Sequence, residues 1–191
     1  RGDDFIFCRA RMFTPANNEA PTNSSRVSTE DSYVISSSCS LTRFSRCWIG
    51  SPTSALVLSG RLLREILPYP HAQDWITRAD DVLIFAASLL GYRKRYLGSL
   101  AVGYRIHGNN GFHGRPVSKQ DVVERELKLE KLFGHFSAKQ HISCTASVLT
   151  VLDEWSLIDR KLHARFEIPS RARIVLAPLL NFLRLLKRLR A

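Results

Sequence analysis

Two adjacent carboxylates, Asp80 and Asp81, stand at the head of a stretch with helical periodicity. The run Tyr104-Arg105-Ile106-His107-Gly108-Asn109-Asn110 follows the next extended segment. These residue types can do chemistry. A positioned carboxylate takes the proton of an attacking hydroxyl. A neutral imidazole, here His107, can ligate a divalent cation beside carboxylates, although magnesium prefers oxygen. Arg105 can pair with a phosphate or brace the acidic helix. Each residue also has a structural reading. Acidic residues in a first helical turn are stabilised by the helix dipole, by roughly 0.3–1 kcal/mol each at exposed sites. A single histidine in a turn is more often structural than functional. A metal-dependent hydrolase built on Asp80, Asp81, His107 and His113 is a further possibility, but the chain has no tight ligand spacing such as His-x-x-x-His.

The elements that must position these residues follow from the apolar pattern. Val82, Phe85, Ala86, Leu89 and Leu90 fall on one face of a helix that Asp80 and Asp81 open. Gly91 stands where a helix C′ residue belongs. Residues 92–106 alternate basic and apolar side chains and predict one or two strands, with a turn at Gly108-Asn109-Asn110-Gly111. Upstream, Pro52-Thr53-Ser54 predicts a loop entering a buried strand through Leu58. Ser59 then caps a short helix over 61–66 that Pro68 and Pro70 stop. Residues 5–13 predict a strand, 14–32 a loop rich in Pro, Asn and Ser, and 40–46 a helix. Asp3-Asp4 reads as a charged strand edge rather than as a metal motif. After Ser118 the pattern is helical, with helices at 120–136, 138–163 and 171–190. Pro178 is best tolerated in a first turn, which places the start of the last helix near Ala177.

Composition narrows the class. The chain has 191 residues, enough for one domain with its own core, and its 45% hydrophobic content is that of a folded protein. Its formal charge of +11 favours an anionic partner: nucleotide phosphate, acidic lipid or nucleic acid. Cys8, Cys39, Cys47 and Cys144 show no Cys-x-x-Cys spacing, which points to reduced thiols in a cytoplasmic protein. No signal-peptide pattern appears in residues 1–191, and no uncharged apolar stretch there is long enough to span a membrane. Residues 171–191 carry basic residues between leucines and no acidic residue, the composition of a helix lying on an anionic membrane surface. That would suit a peripheral place at the inner face of the cell membrane. The first residue is Arg1, and strand-like sequence starts almost at once, so the chain is expected to be a fragment with further sequence upstream.

Three segments, in order, resemble the acceptor-side half of a family 2 glycosyltransferase of the GT-A fold. Asp80 to Gly91 matches the spacing between that family's acidic motif and its glycine, with Leu83 at the usual apolar position and Ala79 where a glutamate is usual. The run from Tyr104 to Asn110 resembles the Tyr-Arg-x-His-Gly-x-Asn segment closing the catalytic core in many bacterial members. Pro52-Thr53-Ser54 resembles an acceptor-side segment, with Ala55 where a glycine is usual, and Trp75 resembles the aromatic before the acidic motif. The resemblance covers about residues 50–112. The donor half and its Asp-x-Asp are not found in residues 1–50, so the fragment by itself is expected to be inactive.

The resemblance implies an α/β fold: a partial GT-A, Rossmann-like sheet over residues 1–116, then a helical extension over 117–191 ending in a basic amphipathic helix. It implies transfer of a sugar from a nucleotide-sugar donor to an acceptor hydroxyl of a glycan or lipid-linked substrate, with inversion, in cell-surface glycan or polysaccharide synthesis. Asp80 would be the general base, with Asp81 second in line. Arg105 and Asn110 would contact the donor, and His107 would serve a divalent cation, Mg2+ or Mn2+. The competing reading is a non-enzymatic basic module on anionic membrane or RNA. The aromatics are not interleaved with the basic residues as base-stacking platforms would be, which argues against specific nucleic-acid binding.

Overall fold

The structure, a computed structural model, describes residues 3–14, 31–106, 118–139 and 147–178. Among the described residues, four strands form one mixed sheet in the order β2-β4-β1-β3. They are β1 (Phe5–Phe13), β2 (Ser32–Ile35), β3 (Leu56–Leu58) and β4 (Lys94–Arg105). The central pair, β1 and β4, is parallel, and the two outer pairings are antiparallel. Register shifts after Cys8, which faces Leu97, so that Arg9 faces Ala101. The bulge lets β4 continue alongside β1 until Met12 faces Tyr104 and Phe13 faces Arg105.

A parallel pair needs a crossover, and here it runs through α1 (Cys39–Ser45), α2 (Gly60–Ile66) and α3 (Ala79–Leu89). The expected helix signals hold. The Ser59 hydroxyl accepts from the Leu62 amide and starts α2. Gly91 follows α3 with φ of 76°, a left-handed position where a side chain would be strained. The strand after Pro52 differs from expectation. It is a short edge strand, entered through a 3-10 turn at Thr53–Ala55, and its Val57 is exposed rather than buried. Three apolar residues in a row do not distinguish an edge from a centre, because that depends on which strand lies alongside. The charged strand edge is as expected: Asp3 pairs with Arg93 and Arg95, and Asp4 bonds Ser59 and Arg61.

Two C-terminal boundaries also differ. The helix expected over 138–163 is two helices among the described residues, α5 (Val148–Leu157) and α6 (Arg160–Arg165). Ile158 is extended, and the Asp159 carboxylate caps α6 by accepting from the Lys161 amide at 2.8 Å. Apolar spacing runs through the break because Leu152, Trp155, Ile158 and Leu162 all pack on the core side. The last helix, α7, begins at residue 171, the start of the helical pattern expected over 171–190, and not near Ala177 where Pro178 would move it; it is described to residue 178. Ser170 caps it: its hydroxyl accepts from the Arg173 amide and its carbonyl from the Ile174 amide. Pro178 therefore lies two turns in. The expected turn at 108–111 and the sequence after residue 178 lie outside the described residues.

One core serves the sheet and the helices. Phe5, Phe7, Ile84, Phe85 and Leu89 are buried with Leu129, Leu132 and Phe136 of α4 (Lys119–Ala138). Phe7, Tyr96 and Phe166 form a three-ring cluster with centroids 5.2–5.7 Å apart, joining the turn after α6 to the sheet. Within this core sits a wholly buried lysine. Lys94 shares the inward face of β4 with Tyr96. Its Nζ donates to the carbonyls of Ile49 and Ile84 and to the Ser88 hydroxyl, at 2.8, 3.0 and 2.7 Å. Burial pulls its pKa down to about 7.

In the unfolded chain this lysine titrates near 10.5. Below pH 7 both states hold the proton, and the burial cost is felt in full. As pH rises from 7, the folded state gives up its proton first, so stability increases. Burial pushes the Cys47 thiol up to about 12, which opposes this trend once unfolded thiols ionise near pH 9. Urea unfolding between pH 7 and 9 will therefore show stability rising with pH, with a slope approaching about 1.4 kcal/mol per unit. Lys94→Met will remove that rise; an equal slope in both proteins would rule out a titrating Lys94.

Candidate functional site

The N-terminus of α3 lies at the carboxyl ends of the parallel pair β1 and β4, the place where open α/β sheets ordinarily hold ligands. A cavity of about 520 Å³ opens there. Met12 and Tyr104 come from the two strand ends, Thr53 and Ser54 from the 3-10 turn, and Arg78 and Asp80 from the start of α3. Three of the segments singled out in the sequence thus reach one cavity from separate parts of the chain. Thr53 and Ser54 are exposed at its rim, whereas Ala55 is buried below them.

The two aspartates have opposite surroundings. Asp81 is fully buried and does not line the cavity. Its Oδ1 accepts from the Trp48 indole N–H at 2.9 Å and from an Arg78 Nη2 at 3.3 Å. Its Oδ2 accepts from Arg78 Nε at 2.8 Å and from Arg125 Nε and Nη2 at 3.2 and 3.1 Å. Asp81 is thus an anchor joining three segments, and the expectation that it stands second in line as a base is corrected to that extent. Asp80 is half-buried, and its Oδ1 accepts only the Asp81 amide, at 3.1 Å, among its side-chain bonds in the described residues. Burial, reinforced by the negative charge of Asp81, holds its carboxyl above the usual aspartate range, with Arg78 pulling the other way. A carboxylate so placed binds a proton more readily than an ordinary surface aspartate.

Arg105 ends β4 directly after Tyr104, with its side chain exposed, and the next amide, Ile106, donates to the Phe13 carbonyl at 2.8 Å. His107 and Asn110 lie outside the described residues, as does His113. Trp75 is a buried core residue, away from the cavity. No group of three or more His, Cys, Asp or Glu side chains comes together among the described residues, and the oxygens of Asp81 are already taken. The described residues therefore do not by themselves make a cage for the divalent cation that the resemblance implies.

Sequence reasoning passed over Trp48, Arg78, Arg125 and Lys94. Arg78 had a local signal, because a cation three residues before Asp81 shares its helical face. Trp48 and Arg125 are far from Asp81 in the chain and left none. No protein-family model, curated protein or solved structure matches the chain.

Chemical denaturation separates the two carboxylates. Asp81→Asn leaves Arg78 and Arg125 without their shared anion and weakens the Trp48 bond, and will cost about 1–3 kcal/mol. Asp80→Asn, at a half-exposed position with one local bond, will stay within about 0.5 kcal/mol of the parent. Equal losses in the two variants would contradict the division of roles.

Proposed function

We propose that this chain carries the acceptor side of a nucleotide-sugar-dependent glycosyltransferase, with Asp80 as the general base. The observation that carries the proposal is the position of Asp80. It is the carboxylate that lines the strand-end cavity, its proton affinity is raised by burial, and its neighbour Asp81 is committed to holding the helix start in place. The threonine and serine at the cavity rim offer hydroxyls to orient a polyhydroxylated acceptor.

In the transfer, the acceptor oxygen forms a bond to the anomeric carbon while the bond from that carbon to the diphosphate oxygen breaks. The acceptor proton passes to Asp80, and the electron pair leaves with the diphosphate. Single displacement from the face opposite the leaving group inverts the anomeric centre. Arg78, at the cavity wall beside Asp80 and bonded to Asp81, keeps the site from carrying two uncompensated negative charges. Arg105, His107 and Asn110 enter the proposal as the donor-side group that the family resemblance implies.

Sugar transfer from a panel of labelled nucleotide sugars, assayed on protein that carries a donor half together with this chain, tests the reading. Asp80→Asn will lower kcat by at least about 10²-fold while the fold survives. The base must be ionised to work, so activity will fall as pH drops through the pKa of Asp80. That fall will begin at a higher pH than an unperturbed aspartate would give, because its pKa is raised. Full transfer by Asp80→Asn would sink the assignment. Absence of transfer together with salt-sensitive binding of RNA or anionic vesicles that survives Asp80→Asn would favour a non-enzymatic basic module.

A further inference from the structure

A second, larger cleft of about 1260 Å³ adjoins the Asp80 cavity, and the two share Ala10, Met12, Trp48 and Pro52 as their common wall. Five arginines line it, against one acidic residue, Glu167. Two of the five are committed: Arg46 pairs with Glu126 and Glu130, and Arg125 with Asp81. Arg43, Arg165 and Arg173 have no carboxylate partner among the described residues.

The frame beneath these three is fixed. The Cys47 thiol donates to the Phe166 carbonyl at 3.3 Å, and the Trp155 indole N–H donates to the Pro169 carbonyl at 2.9 Å, which pin both ends of the turn after α6. Glu167 in that turn adopts φ of 50°, a conformation that costs a non-glycine residue on the order of 1 kcal/mol and persists only where the surroundings impose it. Arg165 is exposed and lies with its guanidinium 4.8 Å from the Tyr96 ring centroid, in range of a cation–π contact. Arg43 stands in the last turn of α1 and Arg173 in the first turn of α7. Three separate elements therefore bring uncompensated guanidinium groups to one cleft with apolar side walls, including Phe44 and Phe166. Guanidinium forks match phosphate oxygens in geometry as well as charge.

We infer that this cleft seats the diphosphate of a reactant whose other end reaches the Asp80 cavity. The inference rests on the transferase reading for the reactant's role but not for its binding. Two sources share this chemistry: a nucleoside diphosphate, as on a sugar donor, and an isoprenyl diphosphate, as on a lipid-linked acceptor.

Isothermal titration of the 191-residue chain with inorganic pyrophosphate is the test. Saturable binding is expected. It should weaken at least tenfold in Arg43→Gln/Arg173→Gln and stay within twofold in the control Arg9→Gln/Arg11→Gln, which changes exposed β1 arginines outside the cleft. Arg165→Gln alone serves as a second variant if the double variant unfolds by circular dichroism. Absence of saturable binding, or equal weakening in the control, overturns the inference, because diffuse positive charge would then account for everything. Farnesyl diphosphate binding tenfold tighter than pyrophosphate supports the seat and assigns the lipid source. The same gain with uridine diphosphate supports it and assigns the nucleotide source. Asp80→Asn should leave pyrophosphate binding intact. Retained binding with undiminished transfer by that variant would remove the base assignment and keep the seat; lost transfer with no pyrophosphate binding would do the reverse.

Discussion

The contact between residues 48–50 and α3 is the constraint on which the site depends. A Cβ on Gly50 would lie 2.4 Å from Ile84 Cδ1 and 2.6 Å from its Cγ1, so only glycine lets the loop approach the helix this closely. That approach brings two bonds of the loop into range. The Ile49 carbonyl accepts from Lys94, which also holds the Ile84 carbonyl and Ser88 on α3. The Trp48 indole reaches Asp81. Beyond Gly50 the chain passes through Ser51, whose hydroxyl donates to the Cys8 carbonyl, and delivers Pro52, Thr53 and Ser54 to the cavity rim. Core lysine, helix anchor and cavity rim are consequences of one close approach.

Its polar parts are satisfied in a particular order. Lys94 reaches into the core from β4, where an unpaired ammonium would be costly. Three acceptors and the face of Phe5, 4.8 Å from the ammonium, surround it instead. The result is a polar rivet between β4, α3 and the loop, in a region otherwise packed with Phe, Ile and Leu. Apolar contacts alone tolerate sliding. Three directed hydrogen bonds from one nitrogen fix the register of the loop on the helix, and with it the height of Trp48 against Asp81.

How much of this was legible in the sequence depends on how local each signal is. The opening and closing of α3, the Ser59 cap and the presence of α1 and α4 are written within a few residues of where they act, and they appear where expected. The break at Ile158–Asp159 was hidden because apolar spacing carries across it, although Asp159 is itself a capping residue. The helical pattern over 171–190 starts where α7 does, and the shift of its start to Ala177 fails because it follows from Pro178 alone, whereas Ser170, an ordinary N-cap type, opens the helix two turns earlier. Edge position for β3 and the burial of Lys94 are properties of the assembled sheet. Alternation along β4 does place Lys94 in phase with Tyr96, but a lysine on that face reads as exposed until Ile49, Ile84 and Ser88 are seen around it. At the site, the segments that converge were visible, and the partners that distinguish one aspartate from the other were not.

That distinction is the functional point. Asp80 and Asp81 are the same residue type, adjacent, in the same helical turn, and equally suited to interact with the helix dipole. Successive helical residues point in directions about 100° apart, so one carboxylate can face the core side while the other faces the strand ends. Asp81 turns toward Trp48 and Arg125 and receives five hydrogen bonds from three side chains. Its oxygens are thereby occupied, yet it still acts on Asp80 across one peptide unit, raising that carboxyl's proton affinity. A like charge one residue away raises a carboxyl's proton affinity without itself lining the cavity. The arrangement draws a helix anchor and a cavity-lining carboxyl of raised proton affinity from two consecutive residues, according to which of them faces the cavity.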